Sequence, residues 1–309
     1  MEHPRGSGVG MNGTAEKWAP DGGGRLALHR LTLPDLAPGE VTIAVRAVGM
    51  NPVDADNVSG GAPDVGYEVA GTIGALGQGV TGHVVGDEVL SFRVRGGYTT
   101  AITVSARDVF AKPTSLGWAE AANLLLTGTA AAEMLYRTGL ASGEVVLVHG
   151  ASGAVGIDAV QQAKLQGARV IGTASPRNWD LLRRFGAEPV AYGEGLEQRV
   201  RDLTGHVDVA FDAVGTDEAV DVSLALVSDR RRVASSAAFD RAGSDGFWIV
   251  GHESGSVEYR NEVRARLVEL AGSGRLVVPL ARTFPFAEAP AALDLVASGH
   301  AGGKVALIV

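Results

Sequence analysis

The stretch Val145-Val146-Leu147-Val148-His149-Gly150-Ala151-Ser152-Gly153-Ala154-Val155-Gly156, continued by Ile157-Asp158-Ala159-Val160-Gln161-Gln162-Ala163-Lys164-Leu165, decides the fold. Four consecutive apolar residues make a short strand of the kind buried on both faces of a parallel sheet. The chain then turns through glycines and opens a helix, which is the context that makes a glycine triplet a dinucleotide fingerprint. Glycine lets the turn be tight and the backbone come close to a pyrophosphate, which meets the free N–H groups and positive dipole end of the helix. The expected contacts are Gly150, Ser152, Gly153, Ala154, Val155 and Gly156. A plain strand–helix turn is the alternative, and the surrounding strand and helix text weighs against it.

Outward from this unit, Arg169–Thr173 reads as the second strand and ends in Ser175-Pro176-Arg177-Asn178. A site for NAD places a carboxylate on the ribose hydroxyl about 20 residues past the fingerprint. None stands here, and Arg177 offers a guanidinium that matches a 2′-phosphate in shape and charge. NADPH is therefore the expected cofactor. Ser175 before Pro176 also suits a helix cap, and an exposed Arg at a helix start is often just solvated. Further strands are expected at Val190–Ala191, Val207–Phe211, Arg232–Ser235 and Trp248–Val250, with helical text at Leu196–Leu203 and Glu258–Leu270. Strands alternating with helices imply a doubly wound parallel sheet.

Before about Pro113 the text changes to short strands cut by Gly and Pro: Val41–Val48, Tyr67–Ile73, Glu88–Phe92 and Tyr98–Val104. This predicts a β-rich domain, a small barrel in outline. Helical segments follow over Trp118–Leu125 and on to about Arg137. After Gly274 come an extended segment, a helix (Ala287–Ser298) and a terminal strand (Lys304–Val309).

Composition narrows the function classes. The chain has 309 residues, enough for two domains of ordinary size, and a formal net charge of −8, which argues against a nucleic-acid surface. It contains no cysteine, so disulfides, thiolate nucleophiles and Cys-ligated zinc are all excluded. No apolar run reaches the roughly 18–20 residues of a membrane span, and Met1–Gly10 lacks the apolar stretch of a signal peptide. The expectation is a cytoplasmic protein with a flexible tail over residues 1–10 and Met11 as an alternative start. His149 reads as strand-end packing and His300 as a helix-end residue.

Several further motifs occur in a fixed order: Pro38-Gly39-Glu40-Val41, Gly49-Met50-Asn51-Pro52-Val53-Asp54, Gly66-Tyr67-Glu68-Val69-Ala70-Gly71, Val85-Gly86-Asp87-Glu88-Val89, Gly96-Gly97-Tyr98, Leu126-Thr127-Gly128-Thr129-Ala130 and Gly302-Gly303-Lys304-Val305. With the fingerprint, they resemble the medium-chain dehydrogenases/reductases, in their zinc-free quinone oxidoreductase (zeta-crystallin-like) branch. The resemblance covers nearly the whole chain from Met11. It implies a two-domain α/β fold: a chaperonin-10-like β-rich catalytic domain over 11–122 and 273–309, and a Rossmann NADPH-binding domain over 123–272.

The resemblance also implies site residues. The catalytic zinc ligands of the family match Asn51, Tyr67 and Asn123 here, and a zinc site wants thiolate or imidazole, so no metal is expected. Asn51 and Asp54 belong to the loop beside the nicotinamide, and Thr127 packs on it. The Asn51 amide is suited to hold a substrate carbonyl as negative charge develops; Asn-Pro as a mere turn is the alternative. Ser175, Arg177, Asn178 and Tyr192 match the contacts to a 2′-phosphate, although Tyr192 also reads as core filler. Ala213 and Val214, within Asp212–Gly215, match the adenosine side; Ser235 matches the nicotinamide ribose, and Lys304 belongs to the same cofactor set. Tyr67 or water is the candidate proton donor. The segment Ala55–Val65 is short and free of aromatics where relatives carry a longer, tyrosine-bearing loop.

The implied activity is metal-independent hydride transfer from NADPH to a small electrophile, a quinone or an α,β-unsaturated carbonyl, by a homodimer. Two readings compete with it. One is an enoyl-thioester reductase of a biosynthetic pathway, whose carrier-borne substrate wants a basic rim that this acidic chain offers sparingly. The other is a non-catalytic NADPH-binding sensor or structural protein.

Overall fold

Strand Val145–His149 lies at the centre of a six-stranded, wholly parallel sheet. On one side it pairs with Arg169–Thr173, which pairs with Ala187–Val190; on the other side follow Val209–Asp212, Val233–Ser235 and Trp248–Ile249. Numbered within this sheet, the order is 3-2-1-4-5-6, the Rossmann arrangement, whose reversal beside the first strand opens a crevice at the strands' carboxyl ends. One apolar cluster holds Val146, Val148, Ile157, Val160 and Phe211; a second, containing Leu147, Ile171, Leu196, Val200 and Val220, is built from other residues of the same strands. Alternate residues of Val145–His149 thus point to opposite, equally buried faces, so the strand reads as an unbroken apolar run.

The computed structural model describes residues 13–299 and 301–309. The tail expected over 1–10, Met11 and His300 lie outside the described residues. The chain divides into two units: one runs to Leu126 and resumes over Val277–Val309, and the other is Thr127–Leu276. These boundaries fall four residues beyond those read from the sequence. The reason is local: Glu68 Oε2 accepts the N–H groups of Leu125 and Leu126 at 3.0 and 2.9 Å, tying the first turn of helix Leu125–Thr138 to the β-rich unit.

In that β-rich unit the long strand Glu40–Met50 is the spine. Glu68–Leu76 pairs along one edge; Ala101–Ser105 takes the first half of the other edge and Lys304–Ile308 the second half. Three partners leave most of the strand buried, which is why Val41–Val48 shows little alternation. The return of Lys304–Ile308 sets Val305 opposite Met50, so the residue after the spine, Asn51, and the first residue of the last strand, Lys304, come together. A Cβ at Gly49 would overlap the Ala122 carbonyl oxygen, so glycine is what lets the spine reach the short helix Trp118–Ala121.

Two local expectations change. Trp118–Leu125 is not one helix: it ends at Ala121, and a new helix starts at Leu125. Residues 52–59, expected as loop, form a helix with Asn51 at its cap, Pro52 at its first position and Asp54 in its first turn. Those are helix-start residues; the eight-residue segment is too polar for apolar periodicity to reveal it.

Candidate cofactor and substrate sites

In the Rossmann unit the fingerprint turn is shaped by what its glycines avoid. Gly150 has φ +66°, and a Cβ there would overlap Val214 Cγ2; a Cβ at Gly156 would overlap the Gly150 carbonyl oxygen. The helix Ala154–Leu165 begins at Gly153 in extended conformation, and no side chain caps this end. A helix N-terminus uncapped by side chains, approached by glycine backbone, fits an anionic pyrophosphate. The turn is held from the second strand: Thr173 Oγ1 accepts Gly150 N–H, and Asn178 Nδ2 donates to Ser152 Oγ at 3.1 Å.

At the end of the second strand, Ser175 precedes the turn Pro176–Asn178, but its hydroxyl caps nothing. Arg177 is exposed and makes no ion pair with any described residue. Tyr192 is 60% exposed, which rules out the core-filler reading. A hydroxyl, a free guanidinium and a phenol on this edge are the donors a 2′-phosphate takes.

Asp212, at the end of the fourth strand, organises the neighbouring loop. Its carboxylate accepts Val214 N–H and Gly215 N–H at 2.9 Å and the Ser235 hydroxyl at 2.6 Å. Ser235 is fully buried and also accepts Ala237 and Ala238 N–H, so its side chain is occupied within the protein. Ala213 and half-exposed Val214 therefore sit on a preset loop. Thr127 is buried, and its hydroxyl donates to Asp158 Oδ2 at 2.6 Å. Asp158 stands in the sequence only as part of the helix; a carboxylate one turn in, among the apolar residues of the helix's first half, is the available signal. His149 is buried, and burial depresses its imidazole to about 4 against the opposing charges of Asp212 and Glu218. It is a neutral strand-end residue.

The β-rich unit carries a buried polar cluster around Asn51. Asn51 Nδ2 donates to Glu68 Oε1 at 3.1 Å, and Lys304 Nζ lies 3.5 Å from Asn51 Oδ1 and 3.9 Å from Glu68 Oε1. Asn51, Glu68 and Lys304 are each at most 3% exposed. Lys304, expected among the cofactor contacts, is thus engaged by Asn51 and Glu68. Asp54 is fully buried; its Oδ2 accepts Asn51 N–H at 2.8 Å and the Tyr98 hydroxyl at 3.1 Å, while Oδ1 has no partner. Burial pushes the Asp54 carboxyl up to about 7 despite these two bonds.

Tyr67 points to other company, because its hydroxyl accepts Asn57 Nδ2 at 2.9 Å. Asn123, the third position matched to a zinc ligand, is buried and donates to the Ala119 carbonyl at 3.0 Å. Among the described residues no three His, Asp or Glu side chains gather as a metal would need. Glu68 is the functional candidate missed at the sequence level. It was visible in the motif, but its several partners come from distant segments.

Residues 37–136 match the family described as alcohol dehydrogenase GroES-like domain, and residues 154–248 match the family described as zinc-binding dehydrogenase. Solved structures share both units: a CurK enoyl reductase is 26% identical with a TM-score of 0.85, covering 95% of this chain and 99% of that one. The chain belongs to the medium-chain dehydrogenase/reductase superfamily. Within the superfamily, the quinone oxidoreductase of Coxiella burnetii is 25% identical at a TM-score of 0.82, covering 96% of this chain and 99% of that one. The spectinabilin polyketide synthase system protein NorB of Streptomyces orinoci is 34% identical over 330 residues, 98% of this chain. The phthioceranic/hydroxyphthioceranic acid synthase of Mycobacterium tuberculosis is 30% identical over 308 residues, 91% of this chain. The chain spans only 15% and 14% of the length of these two relatives. Membership makes the chain an oxidoreductase with a nicotinamide cofactor. Among the described residues no helix is long and apolar enough to cross a membrane.

Proposed function

We propose that this oxidoreductase is an NADPH-dependent, metal-independent enoyl reductase that acts on an α,β-unsaturated thioester. The observation that carries this reading is coverage: nearly the whole chain matches one portion of a polyketide synthase, and the same length matches a structure solved as an enoyl reductase. When bound, the reduced nicotinamide would supply the hydride for the β-carbon; the α-carbon would take a proton from solvent, so that the C=C bond would become a single bond.

The chain's own residues supply positioning and charge. Gly150, Gly153 and Gly156 offer backbone to the pyrophosphate, and Ser175, Arg177 and Tyr192 offer donors to the 2′-phosphate. The Asn51 amide spends one N–H on Glu68 and keeps the other for a carbonyl oxygen becoming an enolate. Lys304, buried next to it, faces the amide's oxygen end, where its positive charge polarises the amide and strengthens the N–H donors at the other end. The amides and phenol at Asn51, Asn123 and Tyr67 are poor zinc donors, which supports the metal-free reading.

Quinone reduction is the second reading, favoured by the likeness to the Coxiella burnetii enzyme. A cytoplasmic homodimer belongs to the same proposal and rests on the resemblance alone. NADPH oxidation is followed with crotonyl-N-acetylcysteamine and with a benzoquinone, before and after EDTA dialysis. Saturated thioester formed at an EDTA-insensitive rate is the expected result. Turnover of the quinone alone, or a stoichiometric metal that activity requires, overturns the proposal.

A further inference from the structure

The helix that opens at the fingerprint has a second end. Gln162, Leu165 and Gln166, at the close of helix Ala154–Leu165, line a cavity of about 320 Å³ together with residues of helices Leu125–Thr138 and Ser256–Gly272. At about 1.5 Å per residue, the cavity stands roughly 15 Å along the helix from the pyrophosphate turn at Gly153. All of its walls belong to the Rossmann unit.

Most of the lining is apolar. Leu135, Leu140, Leu165, Val263, Leu267 and Leu270 supply aliphatic side chains, and Tyr136 stacks on Tyr259 with ring centroids 4.2 Å apart. A Cβ at Gly128 would press on Leu267, so glycine lets helix Ser256–Gly272 pack this closely. The polar groups between the helices are spent on the protein itself. Gln162 Nε2 donates to the Gly128 carbonyl at 2.9 Å, Gln166 Nε2 donates to the Leu140 carbonyl, and the Tyr259 hydroxyl donates to the Ala132 carbonyl at 3.2 Å. These bonds brace the helices that form the walls.

Arg266 is different. It is exposed, it is the one charged side chain of the lining, and it makes no hydrogen bond or ion pair with any described residue. Tyr259, Val263, Arg266 and Leu270 follow at spacings of four, three and four, so they share one face of helix Ser256–Gly272. Burial pushes the Tyr259 phenol up, and the Arg266 charge works against that shift, which puts the guanidinium near the phenol end of the cavity. A full positive charge with five N–H donors thus stands at the mouth of an apolar cavity. The chain is acidic overall, yet none of its described carboxylates answers this cation.

We infer that this cavity binds a medium-chain alkyl carboxylate, with the chain among the leucines and the carboxylate on Arg266. A guanidinium takes a carboxylate bidentately. The two tyrosine faces are turned to each other, so the remaining wall is aliphatic and suits an alkyl chain. A cavity of 320 Å³ lies at the small end of ligand sites, which favours a slender chain over a ring system. The inference is independent of the reaction proposed above.

The test titrates octanoate into the full chain, with and without NADPH, and reads binding by calorimetry, with octanol and acetate as comparisons. One octanoate per chain is expected in both conditions. Octanol lacks the charge and acetate lacks the chain; each is expected to bind about 10–100-fold more weakly, the fold-change of one charge-assisted contact. Arg266→Gln removes the advantage of octanoate over octanol, and Arg266→Lys keeps part of it. Val263→Trp fills the cavity and abolishes binding, while melting temperature and NADPH affinity show that the variant is folded. Octanol binding as tightly as octanoate means that no charge is recognised, and overturns the site. Octanoate binding that survives both Arg266→Gln and Val263→Trp lies elsewhere on the chain and overturns it too. The absence of any octanoate binding does the same, and none of these outcomes touches the enoyl reductase reading.

Discussion

Glu68 Oε1 accepts the Asn51 amide at 3.1 Å while Glu68 Oε2 accepts the N–H groups of Leu125 and Leu126. One buried carboxylate thus fixes the residue after the spine strand and the start of a helix, with Lys304 beside it as the countercharge. Glu68→Ala strands a buried cation, an amide and two helix-terminal donors at once. Breaking a buried pair from one side costs about 3–5 kcal/mol. An unfolding free energy lowered by that amount is expected from chemical denaturation; a loss below about 1 kcal/mol would show that the carboxylate is dispensable to the fold.

Asp54 makes stability depend on pH in an identifiable direction. Its folded-state carboxyl lies at about 7, above the ordinary value of 3.8. The folded state therefore holds the proton more tightly than the unfolded chain between about pH 4 and 7. Its contribution is fully present below pH 4 and is lost as pH rises through 7, at up to about 1.4 kcal/mol per pH unit. His149 works oppositely, since its depressed value favours the fold as pH rises from 4 to 6.5. Asp54→Asn isolates the carboxyl: the stability of wild type relative to this variant is expected to fall steadily from pH 4 to pH 7. A difference that is flat with pH would mean that Asp54 is ionised throughout.

The Rossmann unit was legible because its signals are local. Val145–Val148, the glycines and the helix they open lie within 21 consecutive residues, and a parallel sheet follows from the alternation of strands with helices. The β-rich unit was legible only in outline. Its polar cluster joins Asn51, Glu68, Leu125 and Lys304, whose partnership is set by the pairing of Lys304–Ile308 with Glu40–Met50 across more than 250 residues. No spacing encodes that. Helix 52–59 escaped because Pro52, Asp54, Asp56 and Asn57 give it turn-like text, and its stability comes from the cap and from buried Asp54 and Val58.

The NADPH proposal rests on Arg177, which is exposed and makes no ion pair with any described residue, beside Ser175, whose hydroxyl caps nothing. Arg177→Ala is expected to weaken NADPH binding by about 1–3 kcal/mol, the range for losing a charge-assisted contact, and to leave NADH binding nearly unchanged. Dissociation constants for both cofactors, by fluorescence or calorimetry, check this. An equal loss for NADPH and NADH would place Arg177 away from the 2′-phosphate.

Asn51 offers the sharpest separation of chemistry from architecture. Its backbone N–H already serves Asp54, and one amide N–H serves Glu68, so the side chain carries both a structural bond and one donor to spare. Asn51→Ala removes both amide donors and leaves Glu68 with its helix N–H partners and Lys304. Stability should fall by about 1–2 kcal/mol, the cost of one buried hydrogen bond. If the spare donor meets developing enolate charge, it acts in the transition state more than in the ground state. Turnover of an enoyl thioester should then drop about 10–1,000-fold at temperatures where the variant is fully folded, with little change in KM. NADPH affinity should hold, because Gly150–Gly156 and Arg177 belong to the other unit. Glu68→Gln supplies the control: it perturbs the same network while leaving the Asn51 amide in the chain. If both variants lose stability but Asn51→Ala turns over like wild type, the amide is architectural, and the donor to the substrate must be sought elsewhere.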